Sequence, residues 1–450
     1  MRSTPPHSSA SRVRALSSQG FYGWHIVVFA SIALAATGPG QTVGISLFID
    51  PLIEDLGVSR SAIATAYLIG TLGGAVALPF IGRALDRYGV RRTMAVIGLA
   101  FGALLIALSF VSSIVGLTAG FVGVRMAGQG ALGLTATTAA ALWFERRRGL
   151  ATGIVSAVGA VGISMTPLLL EGLISQHGWR TAWLIEGLVV WAVVIPLGLV
   201  AMRDRPAALG QRPDGDAAPH PDAPVIPEPG LTRSQVLRHQ YFWLVAAAVA
   251  VAGLLTTAVA FHQISLLTAR GLTATEAAAN FIPQTVAGLA ATLVTGYLID
   301  RFAPRWMTVG SMVSLALALV WGAQVGPGVS AIIFGILLGT ASNMIRAVEA
   351  ATLPRYFGTR HIGAIRGLVA SISVGGTALG PLLFAAVFDR IGSYSPVLVA
   401  SSAIPLVIAV WALVAPEPAP MRGEPGRAPE PDADDDEAVA GPSGASLPSR

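Results

Sequence analysis

Apolar runs of about twenty residues, separated by short polar stretches, recur along almost the whole chain. They lie near 23–48, 61–82, 93–112, 115–142, 149–174 and 181–202, and again near 242–267, 275–298, 306–327, 329–352, 363–388 and 394–415. A helix of about 20 apolar residues crosses the hydrocarbon of a bilayer. The pattern therefore predicts an all-α membrane protein with twelve transmembrane helices, and an even number returns both chain ends to one side. Three segments break it. Residues 1–22 are Ser- and Arg-rich without an apolar centre, which predicts a disordered tail and not a cleavable leader. Residues 203–240 are polar and Pro-rich and predict a flexible linker between six-helix bundles at 23–202 and 241–415. Residues 416–450 are Pro-rich and acidic from Asp434 to Glu437, predicting a second disordered tail.

Composition agrees with this pattern. Of 450 residues, 53% are hydrophobic and 12% charged, against about 25% charged in soluble domains. The 51 glycines suit close helix packing in lipid. There is no Cys, which excludes disulfides and thiolate metal sites. All 29 basic residues are Arg. Without Lys there is no Walker loop, so an ATP-driven pump is excluded. No nucleophile–base pair or metal-ligand cluster stands out. The expectation is a chain that is not an enzyme and needs no cofactor.

Arg placement predicts the orientation. With the N-terminus inside, cytosolic connections carry Arg83, Arg87, Arg91 and Arg92, then Arg146, Arg147 and Arg148, then Arg301 and Arg305, then Arg355 and Arg360. The opposite loops carry Arg60, Arg180, Arg270 and Arg390. Both termini are expected in the cytosol of a cell with the protein in its inner membrane. The net charge of +5 follows from this sidedness and is no nucleic-acid signal. The bilayer is the partner this sidedness implies, with the protein expected to be a monomer.

The chain repeats itself. GRALDRYGVRR at 82–92 returns as GYLIDRFAPRW at 296–306. Gly82 matches Gly296, Asp86 matches Asp300, Arg87 matches Arg301 and Arg91 matches Arg305, each 214 residues apart. The same offset links Gly57 to Gly271, Gly153 to Gly367, Pro167 to Pro381 and Gly178 to Gly392. Two parallel, pseudo-symmetric six-helix halves follow. That arrangement suits an alternating-access carrier holding substrate between its halves.

The loop from Gly82 through Asp86, Arg87, Gly89 and Arg91 to Arg92 resembles the signature of the major facilitator superfamily, with a decayed copy at Gly296, Asp300 and Arg301. The resemblance spans about 23–415 and implies the major facilitator fold. It also implies a gating role for these residues. Asp86 is expected near Gly363 or Arg366, and Asp300 near Gly149 or Arg147, when the cytosolic side is closed. WFERRRGLATGIVSAVGAVG at 143–162 is similar to the fifth-helix motif of monocarboxylate porters. FYGWHIV at 21–27 is similar to the Gly-Trp opening of their first helix. YFGTRHIGAIRG at 356–367 resembles bacterial members and the oxalate–formate exchangers. Animal members are associated with a helix-1 Lys and a helix-8 Asp–Arg pair. This chain has no Lys, and its eighth helix offers Glu276, Asn280 and Gln284, so that coupling scheme does not carry over.

Ionisable residues inside a bilayer cost at least roughly 2.5–3.5 kcal/mol each, which singles out a few. Arg125 and Arg346 lie roughly 14–15 Å deep at 1.5 Å per residue, one in each half. Two such cations suit an anion, because guanidinium binds carboxylate as a fork. Alternatively Arg125 braces helix-1 carbonyls. His262 and Asn343 are candidate substrate contacts, against readings as a packed histidine and as helix–helix glue. Glu349, one turn from Arg346, is either its counter-ion or a proton carrier. Glu171 and Glu186 are further coupling candidates, expected nearer the outer surface within reach of water. The reading is a secondary carrier for a small organic anion, a monocarboxylate, with proton coupling a possibility left open. A drug or amphiphile exporter of the same fold, or a non-transporting sensor, are the alternatives.

Overall fold

The computed structural model describes residues 20–145, 147–215, 230–299, 301–358 and 360–419, apart from the side chains at positions 77, 79, 86, 363 and 364. Arg146, Asp300, the Asp86 side chain, residues 1–19 and 216–229, and the acidic run lie outside the described residues. The expected Asp86 and Asp300 contacts therefore do too.

Twelve membrane helices form two six-helix bundles. We number them α1 (23–56), α2 (60–88), α3 (90–108), α4 (114–143), α5 (148–177), α6 (179–201), α7 (Gln240–Thr268), α8 (Ala274–Ile299), α9 (Pro304–Gly322), α10 (Val329–Phe357), α11 (Ile362–Ile391) and α12 (Ser395–Val414). Eight helical stretches cross a membrane by length and composition alone. The others are divided or interrupted. Two helical stretches of 49 residues, Arg60–Leu108 and Arg148–Pro196, run two membrane helices together across one non-helical residue apiece, Gly89 and Gly178. Thr93 donates to the Ala84 carbonyl, nine residues back, at 3.4 Å. In a continuous helix those groups would be about 13 Å apart, so the chain reverses at Gly89.

That reversal requires glycine twice over. Gly89 has φ 79°, a left-handed conformation that side chains resist. A Cβ there would also lie 2.4 Å from Asp204 Oδ1, the oxygen that accepts from Arg91 N at 2.9 Å. The 214-residue repeat is visible in the backbone: Gly57 and Gly271 (φ 62° and 90°), and Gly178 and Gly392 (φ 78° and 71°), are all left-handed. Ala303 replaces the second copy of Gly89 and keeps an ordinary φ of −63° before Pro304.

The face carrying the α2–α3, α4–α5, α8–α9 and α10–α11 connections is rich in Arg and holds Gly20 and Glu417 near the limits of the described residues; we call it the basic face. On it, residues 203–215 strap the first bundle. Gln211 accepts from Tyr22 N at 2.9 Å, and Asp214 accepts from Glu145 N at 2.9 Å and Arg147 N at 3.2 Å. Residues 230–239 join the second bundle, with Leu231 N on Phe357 O at 2.9 Å.

Candidate functional site

The bundles meet at the face opposite the basic one. There Asp50, at the end of α1, forms an ion pair with Arg60 at the start of α2. The Ser265 hydroxyl of α7 donates to Asp50 Oδ2 at 2.6 Å and accepts from Arg60 Nη1 at 2.9 Å. Asp389 of α11 accepts from Ser61 N at 3.0 Å, and Arg60 lies 4.9 Å over the Phe388 ring. Glu171 of α5 accepts from the Thr275 hydroxyl of α8 at 2.8 Å. Deeper, Tyr67 of α2 meets Phe261 of α7 edge to face at 4.7 Å, both fully buried.

The basic half of the same seam is open. A Cβ built on Gly82 of α2, Gly149 or Gly153 of α5, Gly296 of α8, or Gly367 or Gly375 of α11 would meet nothing within 4 Å. Among the described residues, no hydrogen bond or ion pair joins the bundles there. Arg87 lies over Tyr88 and Arg301 over Tyr297, each a neighbour in its own bundle. Arg91 Nε donates to Leu199 O at 2.8 Å.

Between seal and opening lies a cavity of about 320 Å³ lined by Thr71, Gly74 and Leu78 of α2, Arg125 and Gln129 of α4, and Thr377 of α11, among others. Arg125 opens a π-helical stretch, Arg125–Leu132, inside α4; such bulges recur at functional sites. Gly40 of α1 crosses α4 here, and a Cβ on it would lie 2.9 Å from Val124 O and 3.1 Å from Gly128 Cα. This approach lets Arg125 Nη1 donate to Gly40 O at 3.2 Å. Nε donates to Thr71 at 3.2 Å, and the guanidinium rests 4.6 Å over the Tyr67 ring, which a cation favours. Tyr67 is itself pinned by Thr42 at 2.6 Å. Arg125 thus braces α1, but it has no carboxylate partner and Nη2 makes no hydrogen bond among the described residues.

Of the four residues expected around an anion, Arg125 is the one lining this cavity among the described residues. His262 is fully buried elsewhere. Its Nε2 lies 2.9 Å from Pro381 O; a carbonyl only accepts, so Nε2 carries the proton. Nδ1 accepts from the Tyr394 hydroxyl at 3.1 Å. Burial pushes that hydroxyl, in the α11–α12 connection, above its ordinary pKa, which keeps it a donor. Both ring nitrogens are occupied, so His262 ties α7 to α11 and α12. Asn343 donates to Gly339 O at 3.1 Å and packs where a Cβ on Gly288 of α8 would stand.

Arg346 is exposed and makes no ion pair among the described residues. Glu349 is half-buried, with Arg366 and Arg346 close enough to act on it electrostatically. Glu186 departs from expectation. Instead of lying within reach of water, the residue is 7% exposed, because α1 and α5 cover the face of α6 that carries it. Tyr67, Thr71, Asp50 and Ser265 were not singled out by sequence. A deep Tyr one helical turn from a Thr facing the same Arg is a signal that pairwise spacing alone does not give.

The family model described as Major Facilitator Superfamily matches residues 27–287 and 256–440. The chain is 26% identical over 400 residues to monocarboxylate transporter 4 of Rattus norvegicus, covering 85% of this chain and 81% of that protein. It is 27% identical over 190 residues to the oxalate:formate antiporter of Oxalobacter formigenes, covering 41% of this chain and 44% of that one. In structure it is similar to a bacterial homolog of the human lysosomal transporter Spinster, with TM-score 0.65 at 16% identity, covering 88% of this chain and 97% of the other. With its twelve helices in two bundles and a family match spanning most of its length, the chain belongs to the Major Facilitator Superfamily.

Proposed function

We propose that the chain is a secondary carrier that moves a small organic anion, a monocarboxylate, by alternating access. The observation that carries this reading is Arg125: a guanidinium on the wall of a cavity between the bundles which, among the described residues, has no carboxylate partner and leaves Nη2 unengaged. An unpaired cation at that depth is costly, and an anionic substrate offsets the cost. Relatives named for monocarboxylate and for oxalate and formate transport support the substrate class. In this reading Thr71 and Gln129 contribute neutral hydrogen bonds. Arg346, in the basic half of α10 and without an ion pair among the described residues, reaches the anion as the basic face closes.

The reading also fixes orientation. The basic face is cytosolic, because Arg-rich connections stay on the cytosolic side, and the membrane is the cytoplasmic one. The described state is then inward-open, with Tyr67–Phe261 and the Asp50–Arg60–Ser265 group closing the outer side. Glu349, half-buried between two cations, is the coupling candidate this arrangement favours, and the proton is the coupling ion. Asp86 and Asp300 remain proposed latches of the closed cytosolic side. The test is uptake of a radiolabelled carboxylate panel into proteoliposomes, with and without a pH gradient. Saturable uptake of one class supports the proposal, and none across the panel rejects it.

A further inference from the structure

A second cavity, of about 350 Å³, lies outside the seam between bundles, in the angle between α1, α5 and α6. Its wall is aliphatic, with Ala36, Leu170 and Val190 among its residues. Ile32, Leu169 and Val189 stand exposed at its edge, at 42%, 68% and 53%. An aliphatic rim on a membrane helix faces acyl chains, so this cavity opens sideways into lipid. The volume lies at the lower end of the roughly 300–1,000 Å³ typical of small-molecule pockets.

One group contradicts the apolar lining. Glu186 forms part of the wall, is more than nine-tenths buried, and has a fully buried Oε2 with no hydrogen-bond partner. Among the described residues, neither carboxyl oxygen is hydrogen-bonded and no cation pairs with it. The other polar lining residue, Thr166, donates its hydroxyl to Gly162 O at 3.4 Å. A carboxyl group in such surroundings is expensive unless something entering the cavity supplies its partner. Glu186 lies eight residues past the reversal at Gly178, about 12 Å along α6. That depth is below lipid headgroups, so the partner has to arrive on an apolar body.

We propose that this lateral cavity binds a lipophilic amine taken from the bilayer, its alkyl chain against α1 and α5 and its protonated nitrogen on the Glu186 carboxylate. The site is separate from the Arg125 cavity and suits the opposite charge. It does not depend on which anion the carrier moves.

The test uses purified protein in non-ionic detergent, titrated with decylamine or decanol while its melting midpoint is followed. Decylamine should bind at least tenfold more tightly than decanol, and Glu186→Gln should weaken decylamine about tenfold or more, the scale of a lost charged hydrogen bond. Ala36→Phe, which fills the cavity and keeps Glu186, should abolish the response; it also serves if Glu186→Gln fails to fold. Equal affinity for the two ligands overturns the proposal. So does a decylamine affinity unchanged in Glu186→Gln or in Ala36→Phe.

Discussion

Asp50 and Ser265, 215 residues apart in the chain, meet at 2.6 Å across the seam between the two bundles. The contact ties α1 to α7, the matching first helices of the two repeats. Arg60 closes the triangle, bonding to both. Polar closure at one end and bare glycines at the other make the seam a hinge with one end shut.

Removing the Asp50 carboxylate should loosen that closure. Hydrogen bonds to charged groups contribute about 1.5–3 kcal/mol, and the partial exposure of Asp50 puts the net effect at the lower end. Asp50→Ala should raise opposite-side access to the central cavity about tenfold. The chain has no native Cys, so a single Thr377→Cys reporter can be labelled selectively by an impermeant thiol reagent. An unchanged labelling rate would show that the triangle does not hold this state.

Gly89→Ala should destabilise the first bundle by about 1–3 kcal/mol, since the new methyl meets both a left-handed backbone and Asp204. Asp204→Ala added to it should recover only part of the loss, because the backbone strain stays. Thermal melts of the two variants measure this. Full recovery in the double variant would place the whole cost in the Asp204 contact.

Much of this organisation is legible in the sequence, and the missing parts share a cause. Span count, repeat offset and the depth of Arg125 all follow from local pattern. The left-handed glycines at Gly57, Gly178, Gly271 and Gly392 lie on the offset that sequence alone reveals. Contacts set by how helices rotate against one another do not show. Spacing could not reveal that Ser265 faces Asp50, that His262 turns to Pro381 instead of the central cavity, or that α1 and α5 bury Glu186. Arg60 reads in sequence as one outer-loop cation, and only packing makes it part of a seal.

If Glu349 carries the coupling proton, Glu349→Gln should remove the stimulation of uptake by an inward-directed proton gradient while leaving gradient-free exchange intact. Comparing the two modes in the same proteoliposomes checks it. A gradient response equal to wild type would return Glu349 to the role of counter-ion for Arg366 and Arg346.

Arg125 is proposed to hold an anion while bracing α1. Arg125→Lys keeps the charge but cannot serve Gly40, Thr71 and a carboxylate together as a planar fork does, so it should retain little uptake. The direct measurement is saturable uptake of a radiolabelled monocarboxylate into proteoliposomes by wild type, Arg125→Gln and Arg346→Gln, with folding checked by melting. Wild type should show saturable uptake, and both variants should lose it by about tenfold or more with folding retained. Wild-type affinity in both would contradict an arginine-held anion site.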